Sequence, residues 1–347
     1  MTIRQTLLVF ILSIQISAFA QNFEWKAGMN YFFDNTEFIE STLTRDQTMT
    51  GVHFTPQLGL SKDTVHAFYI GGDLLKISGS QNFVDIIRPI AYYQQKTTKS
   101  LLYAGVFPRA ELLNNYSDLF FQDSISYFQP TLSGIFWQLK NSSSFFNIWL
   151  DWNGHQTTVN RETFFVGVSA LKQHKRFFAE LQSYMFHFAN TRPNTENYHL
   201  TDNILGQLSI GVNYSNRQGL DTLLISAGVL AGMERDRFID YGTHTPIGLV
   251  LRCNADYKRF GIQNSFYWGN PRMVFYNQQG TRLYSNNPFL RSNYYLESKW
   301  YLDVIQSQSF NGKLAIKLHF SEGKLMNEQV FTLKASLESL VGKKMLR

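Results

Sequence analysis

From residue 22 to residue 340 the chain repeats one small unit, a short run of alternating apolar and polar residues followed by a connection. In 313–320, Leu314, Ile316, Leu318 and Phe320 alternate with Lys313, Ala315, Lys317 and His319. In 207–215, Leu208, Ile210, Val212 and Tyr214 alternate with Gln207, Ser209, Gly211, Asn213 and Ser215. The segments 247–256, 294–304 and 328–337 follow the same rule. A period of two sends successive side chains to opposite faces of a strand, so the chain must form sheet with two chemically different faces. No long helical repeat competes with it. The fold class is nearly all β.

Sixteen strands are expected, at 22–33, 50–60, 65–76, 88–93, 101–107, 131–139, 145–151, 162–171, 177–188, 204–215, 223–234, 247–256, 260–268, 290–305, 313–320 and 328–340. The connections between them alternate in length. Long ones fall at 34–49, 77–87, 108–130, 152–161, 189–203, 235–246, 269–289 and 321–327. Short ones fall at 61–64, 94–100, 140–144, 172–176, 216–222, 257–259 and 306–312. Only the last long one is no longer than the longest short ones. The short turns carry a net positive charge and the long loops a net negative one. The object is therefore two-ended, which is the pattern of an antiparallel barrel with short periplasmic turns and long external loops. An even strand count puts both termini at the short-turn end.

The first residues read as an export signal. Arg4 supplies a positive start, Leu7 to Ile16 form a short apolar core, and Ala18-Phe19-Ala20 fits a small-x-small cleavage rule. Residues 1–20 are expected to be removed, leaving 21–347 as a single barrel domain in the outer membrane. The apolar run is too short to be preferred as a membrane-spanning helix.

Composition narrows the field further. Aromatic residues make up 16% and charged residues 17% of the 347 residues, which excludes a disordered chain. One cysteine, Cys253, excludes a disulfide framework and multi-cysteine metal centres. A mean hydropathy of −0.21 excludes a multi-span helical membrane protein. The net charge of +6 has no lysine- and arginine-rich run behind it outside the last residues, so nucleic acid is not an expected partner. Aromatics gather near segment ends, at Tyr31, Phe32 and Phe33, Tyr92 and Tyr93, Phe145, Phe146 and Trp152, Tyr267 and Trp268, and Tyr294 and Tyr295. Rings at headgroup depth would form interfacial girdles. A soluble sandwich would bury Phe in the same way, but Tyr and Trp at strand ends fit the girdle better.

On these strands, loops and aromatics the sequence resembles bacterial outer-membrane β-barrels of the porin-like kind. The resemblance covers the whole mature chain and rests on architecture, with no family-specific motif. Abundant Asn, Gln, Tyr and Phe also resemble outer-membrane proteins of the Bacteroidetes. The resemblance departs at the end of the chain. Such barrels often stop on an aromatic residue, whereas this one runs on to Lys343-Lys344-Met345-Leu346-Arg347.

Catalytic motifs are absent. There is no G-x-S-x-G, P-loop, H-E-x-x-H or dinucleotide glycine pattern. The eight histidines are scattered without metal-ligand spacing, so neither a cofactor nor a metal is expected. His53 and His319 fall on polar faces and are read as solvated lumen residues. His187, between Phe186 and Phe188, is read as interfacial. The densest polar and aromatic stretch is 149–164, with Asp151, Trp152, Arg161 and Glu162. It offers either a glycosidic site, which needs two carboxylates across the bond, or the ion-paired base of a hairpin.

The third long connection, 108–130, is too apolar to extend into water, with Leu112, Leu113, Leu119, Phe120, Phe121 and Phe128. The third loop of general porins folds into the lumen, and this one resembles it in rank and composition. The alternative is a lid packed over the rim or against a neighbouring subunit. Folded inward, it would turn Glu111, Asp118 and Asp123 toward the remaining aperture. Alternation makes Arg252, Asp256, Glu297, Lys299, Asp303, Lys313, Lys317 and Lys334 candidate pore-lining residues, with Lys313, Lys317 and Lys334 opposite those acids.

The expectation is a channel for passive diffusion of small hydrophilic solutes, in contact with outer-membrane lipid and able to form a homo-oligomer. The alternatives are an outer-membrane hydrolase acting on lipid or glycan, and a closed structural or adhesive barrel.

Overall fold

A computed structural model describes residues 21–39, 41–110, 112–194, 199–216, 219–238, 242–275 and 287–338. The expected signal segment 1–20, the acid Glu111 and the tail beyond 338 lie outside the described residues. Sixteen antiparallel strands close into one barrel, each paired with its neighbours in sequence and β1 paired with β16. The first eight are β1 (Gln21–Glu37), β2 (Gln47–Lys62), β3 (His66–Ile77), β4 (Ile86–Lys96), β5 (Ser100–Pro108), β6 (Thr131–Lys140), β7 (Ser144–Gly154) and β8 (Thr163–His174). The second eight are β9 (Phe177–Phe188), β10 (Thr201–Asn213), β11 (Thr222–Asp236), β12 (Ile247–Tyr257), β13 (Phe260–Gly269), β14 (Tyr294–Gln306), β15 (Phe310–Ser321) and β16 (Lys324–Glu338). Closure leaves no edge strand, so every strand finds backbone partners on both sides within the wall.

The two faces of the wall are inverted relative to a water-soluble protein. Ile70, Leu208, Ile210 and Ile316 lie on the outside, each more than half exposed. Asn147, Ser169, Gln182 and Gln207 point inward and are fully buried. An apolar exterior, with polar side chains kept inside beside buried rings such as Phe136 and Phe165, is what a lipid environment selects, because lipid tails cannot hydrogen-bond. The architecture is that of an outer-membrane barrel.

Two expectations are corrected. The last long loop is no loop: Glu322 and Gly323 alone join β15 to β16, both with positive φ (54° and 74°), the twist that a two-residue hairpin requires. Residues 290–293 do not belong to β14, since Pro288–Arg291 makes one 3-10 turn ahead of it. The girdle reading also needs division. Neighbouring aromatics on one strand must alternate, so Phe32, Tyr92, Tyr267 and Tyr295 are buried inside, while Phe146, Trp152 and Trp268 face outward.

Candidate functional site

The connection between β5 and β6 enters the barrel. A short helix in it, α1 (Ser124–Phe128), and the residues before α1 cross the lumen and meet the opposite wall. At its base, Arg109 donates to the Asp151 carboxylate at 2.6 Å, and both side chains are buried. Its first half packs on β7 to β10. Trp149 donates to the Tyr116 hydroxyl at 3.0 Å, the Ser117 amide donates to Gln182 at 2.9 Å, and Gln182 returns a bond to the Asn115 carbonyl at 2.6 Å. Trp149 can lie flat there because its strand neighbour is Gly167; a Cβ at that position would run into the indole ring. Leu119 and Phe120 are completely buried.

The second half packs on the other side. Tyr127 stacks on Phe32 at 4.2 Å, and its carbonyl lies 2.8 Å from His53. His53 also contacts Asp73 at 2.8 Å, and Arg88 donates to Asp73 at 3.0 Å and to the Phe128 carbonyl at 2.7 Å. The hydrophobic core of this protein therefore lies inside its lumen, where the loop meets inward rings from β3 to β14.

Just ahead of α1, Asp123 bonds to Lys317 of β15. Lys317 also donates to Glu328 at 2.8 Å, and Glu328 lies 3.1 Å from His319 Nε2. The Tyr295 hydroxyl lies 2.7 Å from His319 Nδ1 and 2.8 Å from Glu297. This network borders a cavity of about 80 Å³ between α1, the start of the loop after β1 and the 3-10 turn, lined also by Asp34, Thr36, Asp118 and Ser124. Burial acts to raise the Asp123 carboxyl, but Lys317 and Lys299 outweigh it and hold the group well below the usual carboxylate range.

The expected lining residues separate into two groups. Glu297 and Lys317 are buried in this network, and Lys299 pairs in register with Lys317. Arg252 donates to Glu180 at 2.7 Å, Lys313 sits 3.5 Å from Asp303 and 3.9 Å from the centre of the Tyr301 ring, and Tyr301 bonds to Asp256. These last residues, with Lys334, lie toward the short-turn end and are partly or fully exposed. Asp118 borders the cavity, and its carbonyl accepts from Asn287 at 3.2 Å.

Acids and lysines were expected to face each other across an aperture; instead Asp123 and Lys317 touch. His53 and His319 are not solvated. Both are buried, because the loop that seals them arrives from far away in sequence. The 149–164 stretch is not gathered into a site. Asp151 pairs with Arg109, whereas Arg161 lies over the Phe188 ring and donates to the carbonyls of Ala189 and His199. His187 stacks on Phe164 at 4.6 Å, which stacks on Trp152 at 4.8 Å, and this aromatic row follows the outer face. Sequence reading missed Tyr295 and Glu328 as members of the buried network. Their inward parity was legible, but nothing in the sequence marked them as partners of His319.

A family model described as lipid A 3'-O-deacylase-type matches residues 17–344. No curated protein sequence matches the chain. Among solved structures, a loop-deletion mutant of OmpT, an outer membrane protein of Vibrio cholerae, superposes with a TM-score of 0.55 at 8% identity, covering 92% of this chain and 100% of that one. The outer membrane protein OprD of Pseudomonas aeruginosa gives 0.53 at 10% identity, with 92% and 94% covered. OpdO of the same organism gives 0.51 at 12% identity, with 91% and 97% covered. At such low identity these likenesses speak to the fold.

Proposed function

This chain belongs to the lipid A 3'-O-deacylase-type family, and from the course of its inward loop we propose that its barrel is a constricted channel for small hydrophilic solutes, narrowed by the loop 108–130. The observation that carries this reading is the course of the loop, which leaves the rim, crosses the interior and meets β15 at Lys317. A loop held in this way sets the width and charge of whatever passage remains, and selectivity in pores comes from those two quantities. The short-turn end contributes a vestibule of paired charges, Arg252 with Glu180 and Lys313 with Asp303. Single-channel recording of the refolded protein in planar bilayers tests the proposal: it predicts small, discrete conductance steps that grow when the loop is removed.

The family match favours a second reading, ester hydrolysis on a membrane glycolipid. Its best centre is His319 with Glu328. Two features weigh against it. Both ring nitrogens of His319 are already engaged by Tyr295 and Glu328, and among the described residues no serine or threonine hydroxyl bonds to a histidine. The barrel wall also stands between this cavity and the lipid leaflet. Release of fatty acid from lipid A vesicles by the refolded protein, abolished by His319→Gln, would favour this reading over the channel.

A further inference from the structure

We propose that the cavity beside α1 binds a small organic ammonium ion, an inference that rests on the channel reading and names the class of solute the passage favours. Among the described residues, five carboxylates border this space, those of Asp34, Asp118, Asp123, Glu297 and Glu328, against the single lysine Lys317 and the imidazole of His319. Lys317 is already shared between Asp123 and Glu328. Carboxylates crowded in this way must hold protons or take up positive charge.

Asp34 supplies the second, independent sign. It is 1% exposed, its carboxyl interacts with the Tyr127 hydroxyl, and its Oδ1 has no hydrogen-bond partner among the described residues. A buried carboxylate oxygen left without a partner is costly, so an incoming donor gains by bonding there.

The rest of the wall chooses the kind of cation. Phe38, Phe121 and Phe289 line the same cavity, and ring faces attract an alkylammonium that loses its water. A bare divalent ion requires several converging oxygens, and among the described residues no group of three acidic, histidine or cysteine side chains is so placed. The volume of about 80 Å³ suits a head the size of ethylammonium rather than a bulky amine.

Calorimetric titration of the refolded full chain in detergent micelles tests this, with ethylammonium chloride, the neutral alcohol n-propanol and calcium chloride as probes. The proposal predicts saturable binding of ethylammonium and none of n-propanol. It predicts binding weakened at least roughly tenfold by Asp34→Asn and unchanged by Lys334→Gln at the far end of the lumen. Equal binding by Asp34→Asn, equal binding of n-propanol, or calcium binding that ethylammonium cannot displace would each overturn it. If Asp34→Asn does not refold, the comparison of ethylammonium with n-propanol on the unaltered chain decides. Because binding is read without a membrane potential or flux, a barrel that conducts nothing can still show it, and a conducting barrel can still lack it.

Discussion

Asp123, just ahead of the helix inside the lumen, and Lys317, on the barrel wall, are 194 residues apart in sequence and bonded to each other. Lys317 also holds Glu328, so one buried ammonium joins the loop to β15 and β16. Breaking a buried pair by removing one partner typically costs roughly 3–5 kcal/mol, because the other charge stays buried without compensation. Lys317→Met should therefore lower the urea midpoint of the refolded barrel markedly. Asp123 is the more exposed partner, so Asp123→Asn should cost less. Midpoints unchanged in both variants would mean that the pair does not hold the loop.

The same pair sets a pH dependence. The folded-state Asp123 carboxyl is held below its ordinary value of 3.8, so its contribution to docking is complete above that value and is lost as pH falls through the lower, folded value. Trp149 packs on the loop through Tyr116 and Phe121 and reports on docking. Its fluorescence should hold steady from about pH 8 to about pH 4 and change only below that. A transition near neutral pH would show that another group controls the loop.

The face of β15 that meets lipid can be tested directly. Ile316 faces outward and is more than half exposed, with Lys317 beside it pointing inward. An arginine at mid-bilayer on the lipid face costs roughly 2–4 kcal/mol in such barrels. Ile316→Arg should slow or prevent folding into lipid vesicles, while Lys334→Gln, exposed near the short turns, should fold normally. Equal folding of the two would mean that the register is wrong.

Gly167 is a lever on the loop from outside it. A valine there would push Trp149 off the wall and break its bond to Tyr116, and overpacking of this kind costs roughly 1–3 kcal/mol. Gly167→Val should leave the barrel folded but expose the loop to limited proteolysis. A protease-resistant loop in that variant would mean that Arg109, Gln182 and Lys317 hold it without the tryptophan.

Most of the wall was legible in the sequence, because one period-two rule fixes strand, face and count together. Lys313 to Phe320 reads correctly residue by residue, while the end of β1, the start of β14 and the start of β16 were each misplaced by four residues. The site was legible only in fragments. Alternation turns His319 and Lys317 inward, but it cannot say that a loop from residues 109–130 will cover them. That burial depends on contacts such as His53 with the Tyr127 carbonyl, which no local pattern encodes. The inward loop itself carried a compositional sign, its run of apolar residues with nowhere dry to go outside the barrel. The partner of Asp151 could not be named for the same reason: Arg109 is 42 residues away in sequence but adjacent in space.

Single-channel recording of the chain with residues 110–127 deleted tests most directly whether the loop 108–130 narrows a conducting lumen. A constricting loop predicts a folded deletion barrel whose conductance rises well above that of the full chain and whose ion selectivity shifts toward anions as Asp118 and Asp123 are lost. A folded deletion barrel with the same conductance and selectivity as the full chain, or with none, would contradict it.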